Sequence, residues 1–270
     1  MKGFGLRTLV ILAGVVALFS LVGAAYTVTQ LEAIASNELV PEISAAAGMA
    51  LASSYAQTMT QAQLETLAVN GATIGLRTAA SNALSILYRS KTEDELTAIL
   101  TGDADPMIRA AAIDPIQKYL FTKTSDAEGF VLTDYLKDLA VNGSTHEMRL
   151  AAAEAYYLRM TVNGQLSASA LEAQAAKNDS AELEYAAGQT LAGFYLMSAA
   201  AKTQAQLEEL AQNGATEGLR TAGGVALSTK LIDSSLTAQE MENTLLADFG
   251  AKSQAYLDAY KVALSARFSS

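Results

Sequence analysis

Apolar residues recur along this chain with a period far longer than one helical turn. A pair of apolar residues twelve positions apart occurs seven times, at Leu31/Ile43, Leu64/Leu76, Leu96/Ile108, Leu136/Met148, Leu171/Leu183, Leu207/Leu219 and Leu245/Leu257. The pairs start 33, 32, 40, 35, 36 and 38 residues apart, a spacing typical of stacked helix pairs, in which each unit buries its apolar face against its neighbours. Residues 62–79 and 205–222 are near copies of one another. Counted from the second member of each pair at about 100° per residue, positions 3, 4, 7 and 8 share its face. In the second unit these are Ala79, Ala80, Ala83 and Leu84, small side chains that let helices approach closely. Positions 2, 6 and 9 point the opposite way.

Each unit reads as a short helix, a tight turn and a longer helix. Thr60/Gln63, Thr92/Glu95, Thr203/Gln206 and Thr237/Glu240 have the spacing of capping boxes, in which two side chains satisfy the orphan amides of a first helical turn. Asn-Gly pairs at Asn70-Gly71, Asn142-Gly143 and Asn213-Gly214 predict helix ends at which glycine takes the left-handed conformation. Thr73, Asp105 before Pro106, Thr145, Ser180 and Thr216 are suitable N-caps for the second helices. Pro115 falls inside the third of these and predicts a kink.

The turn and second-helix start at residues 102–112, with Asp105-Pro106 and Arg109, resembles a HEAT repeat, and so does Pro41-Glu42-Ile43-Ser44. Tetratricopeptide repeats share the period but not this pattern. The resemblance covers nearly all of residues 27–270. It implies an all-α, right-handed α-solenoid of about seven HEAT-like helix pairs, with positions 2, 6 and 9 of each second helix on the concave face. It also implies an Asp–Arg ladder between units. Arg77, Arg109, Arg149 and Arg220 form the arginine column, but Ser44, Glu184 and Asp258 replace it in three units. Asp103 supplies the acid in one unit, where glycine stands in others. A structural role for this column is favoured over an anion site.

Lys2 and Arg7, the apolar run Leu9–Val22 and the small residues Gly23-Ala24-Ala25 follow the order of a secretory signal peptide. Residues 1–25 are therefore expected to be cleaved, leaving the solenoid over 26–270. The alternative is an uncleaved anchor, because residues 8–31 carry no charge and are long enough to cross a bilayer. The expected location is outside the cytoplasm: periplasmic, at the cell surface or secreted.

A net charge of −10 opposes the counterion release on which nucleic-acid binding depends. It equally disfavours anionic membranes, leaving the N-terminal helix as the one route to a membrane. The chain has no cysteine and one histidine, His146, so neither a thiolate site nor a Ser-His-Asp triad is expected, and a metal role for His146 is disfavoured. No cofactor and no enzymatic activity are predicted. Carboxylates such as Glu93, Asp94 and Glu95 sit at helix starts, where they meet the helix dipole. The function expected is a non-catalytic scaffold for a protein or peptide partner. The alternatives are a structural envelope component held by its N-terminal helix and a lyase-like enzyme of the HEAT type. Leu150, Glu154, Tyr157, Tyr185 and Asp114 lie at concave positions and are the candidate partner-binding residues, on condition that the rings are exposed and not packed against a neighbouring unit.

Overall fold

The computed structural model describes residues 26–37, 40–102, 105–124, 131–177, 180–198 and 200–270; the expected signal peptide and Asp103 lie outside them. The described residues form fourteen α-helices and no strand. Short and long helices alternate: α1 (Val28–Ala35) and α2 (Pro41–Thr58), α3 (Gln61–Asn70) and α4 (Ile74–Tyr88), α5 (Glu93–Thr101) and α6 (Pro106–Thr122), α7 (Leu132–Asn142) and α8 (His146–Val162), α9 (Ala168–Ala175) and α10 (Ala181–Met197), α11 (Gln204–Asn213) and α12 (Glu217–Ile232), α13 (Ala238–Asp248) and α14 (Gln254–Ser269). No helix among the described residues is long and apolar enough to cross a membrane.

The helix starts follow the local chemistry. All four expected capping boxes form, and Thr27 with Gln30 makes a fifth at α1. Thr73, Asp105, Thr145, Ser180 and Thr216 each cap a longer helix through the side chain. α6 runs through Pro115, which is buried within it.

The Asn-Gly ends depart from expectation. Gly71, Gly143 and Gly214 have φ of −56°, −56° and −53°, not the left-handed values assigned to them above. Glycine is needed there because space is short. A β-carbon at Gly71 would crowd the Leu67 carbonyl oxygen at 2.6 Å, and Gly143 and Gly214 meet Leu139 and Leu210 in the same way.

The first member of every apolar pair is buried, from Leu31 and Leu64 to Leu245. Most second members, Leu76 among them, are half-buried, and the tighter core lies a turn further on at Ala79, Ala80, Ala83 and Leu84. Each long helix packs on the next, from α2 through α4, α6, α8, α10 and α12 to α14, and α14 packs back on α2. Tyr26, beside α1, meets Phe268 of α14 edge to face at 4.8 Å between ring centroids. An open stack would leave the outer faces of α2 and α14 free, whereas here the long helices form a closed ring with the short helices beside them.

Closure has a consequence for the face expected to be concave and open. Thr78, Ala110, Leu150, Tyr157, Tyr185, Ala192 and Thr221 on that face are all buried. Seven helices turned toward one another cover what a solenoid would leave to solvent.

Candidate functional site

The N-terminal ends of the long helices carry a repeated junction. Besides capping its own helix, the hydroxyl of Thr73 donates to the Ala35 carbonyl oxygen at 2.6 Å. Thr145 donates to Leu100, Thr216 to Ala175 and Ser253 to Ala211, at 2.8, 2.6 and 2.6 Å. Each bond satisfies a carbonyl left open at the end of a short helix in the preceding unit. This role is additional to the capping that the sequence pattern suggested.

In four of the pairs, the side chain one residue beyond the second apolar member meets the start of the following long helix. Arg109 pairs with Glu147 at 3.0 Å and Arg149 with Glu182 at 2.9 Å. Where the following helix presents a glycine, the same position holds an acceptor for the glycine amide: Ser44 for Gly75 at 3.1 Å and Glu184 for Gly218 at 2.8 Å. Two of the three units lacking arginine, those with Ser44 and Glu184, thus have a physical explanation, since an N–H donor calls for an acceptor and a carboxylate calls for a guanidinium. Arg149 and Arg220 also donate to the carbonyls of Gly143 and Gly214. The acids of Arg109 and Arg149 are thus Glu147 and Glu182, whereas Arg220 pairs with Glu217 of its own helix.

His146 is half-buried and not fully exposed, with Nδ1 2.8 Å from Glu182. Burial pushes the Glu182 carboxyl up, but hydrogen bonds from His146, its own backbone amide and Arg149 outweigh this and hold it below the usual carboxylate range. Arg149→Met should cost about 1–3 kcal/mol, because a buried carboxylate loses its guanidinium while keeping His146. Thermal melts check this. The carboxyl is depressed in the folded chain, so the difference from the parent should shrink as pH falls below the ordinary carboxylate range.

The junction between α14 and α2 repeats the same register with different chemistry. Asp258 and Glu42 occupy the two positions, and Lys261, itself buried, bridges to Asp258. Burial raises the Glu42 carboxyl, Lys261 opposes this and Asp258 adds to it. A second recurrent contact joins the helices of a pair. Tyr55, Tyr88 and Tyr195 donate to Glu32, Glu65 and Glu172, each 23 residues earlier, at 3.2, 3.3 and 2.7 Å. In these three units an acid in the short helix and a tyrosine 23 residues later are the signal that could have revealed this contact, which the apolar repeat does not carry.

The candidate partner-binding residues do come together, but not as a surface. Leu150 and Tyr157 are 2% exposed, Tyr185 is 6% and Glu154 is 5%, so the condition of exposed rings is not met. Asp114, Glu154 and Gln189 occupy the same sixth position on the adjacent helices α6, α8 and α10. Neither carboxylate oxygen of Glu154 makes a hydrogen bond, and the Gln189 amide nitrogen makes none either, although Gln189 lies close enough to moderate the acid's charge. Burial first, then the Asp114 charge, pushes the Glu154 carboxyl up to about 8. Asp114 is partly exposed and lies 3.4 Å from the guanidinium of Arg89. Burial and the Glu154 charge raise the Tyr185 phenol, so it stays neutral.

Among the described residues no group of three or more His, Asp or Glu side chains is placed to hold a metal ion. In comparisons with known proteins, no family model, no curated protein and no solved structure matches this chain.

Proposed function

We propose that this chain is an exported, non-catalytic scaffold of seven HEAT-like helix pairs that holds a protein or peptide partner on its rim. The observation that carries this reading is a group of exposed apolar side chains where the long helices end. Met197, at the end of α10, is 88% exposed, and Val162, at the equivalent position of the adjacent α8, is 65% exposed. Leu158, one turn earlier on α8, is exposed as well. Apolar residues presented at matching positions of consecutive repeats suit an extended partner. The buried tyrosines of the inner face are not part of this surface.

The double variant Val162→Asp with Met197→Asp removes the apolar contact without touching the core. It should abolish recovery of the partner that the parent chain captures from the envelope fraction while leaving the melting temperature within a few degrees. Unchanged recovery would place the site elsewhere.

One observation favours a second reading, an envelope component held by an uncleaved N-terminal helix. Tyr26 lies against Phe268 near the end of α14, the end of the ring at which Val162 and Met197 also lie. Mass spectrometry of the native protein separates the two readings. A chain starting at Tyr26 supports the exported scaffold, and an intact Met1 in the membrane fraction supports the anchor.

A further inference from the structure

The chain carries four Asn-Gly pairs, and the fold treats one of them differently from the rest. Asn70, Asn142 and Asn213 are the last residues of α3, α7 and α11. The amide of each following glycine donates to the carbonyl oxygen four residues back, at 2.8 Å from Gly71, 2.9 Å from Gly143 and 2.8 Å from Gly214. These turns have no spare room, since a β-carbon on each glycine would stand 2.6 Å from a backbone oxygen. Two of the asparagines are also held by an acid one turn earlier, Asn142 by Asp138 at 2.7 Å and Asn213 by Glu209 at 3.0 Å.

Asn163 and Gly164 depart from this in each respect. Asn163 lies just beyond α8 and is exposed. The residue one turn before it is Arg159, which has no acceptor for the carboxamide N–H groups. Gly164 has a φ of 68°, and a β-carbon there would meet nothing within 4 Å. Its amide closes the turn on the Thr161 carbonyl oxygen at 2.9 Å, three residues back. Exposed helix ends of this kind open at little cost.

We infer that Asn163 is a site of spontaneous covalent modification, converted to aspartate and isoaspartate through a cyclic imide. When the turn opens, the Gly164 backbone nitrogen attacks Cγ of the Asn163 carboxamide, an approach that a residue without a side chain leaves free. The N–Cγ bond forms and the Cγ–Nδ2 bond breaks. Nδ2 leaves as ammonia, taking up a proton in place of the one that the Gly164 nitrogen gives to solvent. Water, the one co-reactant, then opens the imide: attack at Cγ gives aspartate, and attack at the backbone carbonyl carbon gives isoaspartate, whose main chain is one atom longer. The space around Gly164 accepts both the imide and the longer chain, whereas the packed backbone at Gly71, Gly143 and Gly214 resists them. Either product places a new carboxylate beside Val162, at the exposed apolar end of α8.

Incubation of the folded full chain in mildly alkaline buffer at physiological temperature, followed by peptide mapping with mass spectrometry, tests this. Asn163 should convert at least about tenfold faster than Asn70, Asn142 and Asn213, where the imide has to form against packed backbone. In concentrated urea, with the turns lost, the four should convert at similar rates. Asn163→Gln should remove the fast phase of ammonia release from the folded chain and leave the slow one. Equal rates at the four sites in the folded chain would overturn the inference. So would an equally large lead for Asn163 in urea, or a folded Asn163→Gln variant that releases ammonia as fast as the parent.

Discussion

Gly188→Ala should lower the melting temperature by about 6–12 °C, whereas Gly193→Ala, five residues along the same helix, should raise it by about 2–4 °C. A β-carbon at Gly188 would overlap the carbonyl oxygen of Gly218 on α12. Both sides of that contact are backbone, so no flexible side chain can move away. Overpacking typically costs about 1–3 kcal/mol, and a contact of this kind belongs at or above the upper end. For a domain of this size each kcal/mol shifts the midpoint by about 2–4 °C. At Gly193 a β-carbon would meet nothing within 4 Å, so alanine gains the intrinsic helix preference of up to about 1 kcal/mol. The same crossing occurs between α2 and α4, where Gly48 faces the carbonyl of Gly75, and Gly48→Ala should behave like Gly188→Ala. Equal melting temperatures for the two α10 variants would mean that α10 and α12 do not cross at Gly188.

Glu154→Gln should leave stability unchanged near pH 4 and stabilise the chain increasingly from there to about pH 8. Its carboxyl is raised from the ordinary value to about 8. In that window the folded chain keeps the proton and the unfolded chain has lost it. Stability therefore falls as pH rises through the interval, by about 1.4 kcal/mol per unit where the two states differ by a full proton. Glutamine has the same shape without the charge and removes this dependence. By pH 7 the variant should gain about 3 kcal/mol, measured as the difference between denaturant unfolding curves of the two proteins at several pH values. Parallel stability profiles for parent and variant would show that Glu154 is not buried on the inner face. The slope is opposite to that from Glu182, whose depressed carboxyl makes its contribution in neutral solution and loses it in acid.

What was legible in the sequence was local. Capping boxes act across three residues and N-caps across two or three, so Thr60/Gln63 and Thr145 could be read directly and are found as expected. Leu64, Leu96 and Leu136 are buried as the period demands, since a short helix with one apolar stripe has one way to hide it. The helix ends at Gly71, Gly143 and Gly214 were placed correctly while their conformation was not. Glycine is tolerated both for positive φ and for close approach, and sequence alone does not separate the two.

The number of apolar pairs, the helix order and most caps were determined by the sequence by itself, because each depends on residues within a turn or two. The tertiary structure alone decided that α14 returns to α2. Closure depends on small rotations accumulated over the whole series of pairs, and no short segment encodes that total. It also decided the fate of Leu150, Glu154, Tyr157 and Tyr185. Their angular position put them opposite the short helices, but whether that face meets water or other helices depends on whether the ring closes. With the ring closed, the rings and the carboxyl are buried together, and a carboxylic acid that would be a solvated charge on an open stack becomes a protonated group without a hydrogen-bond partner.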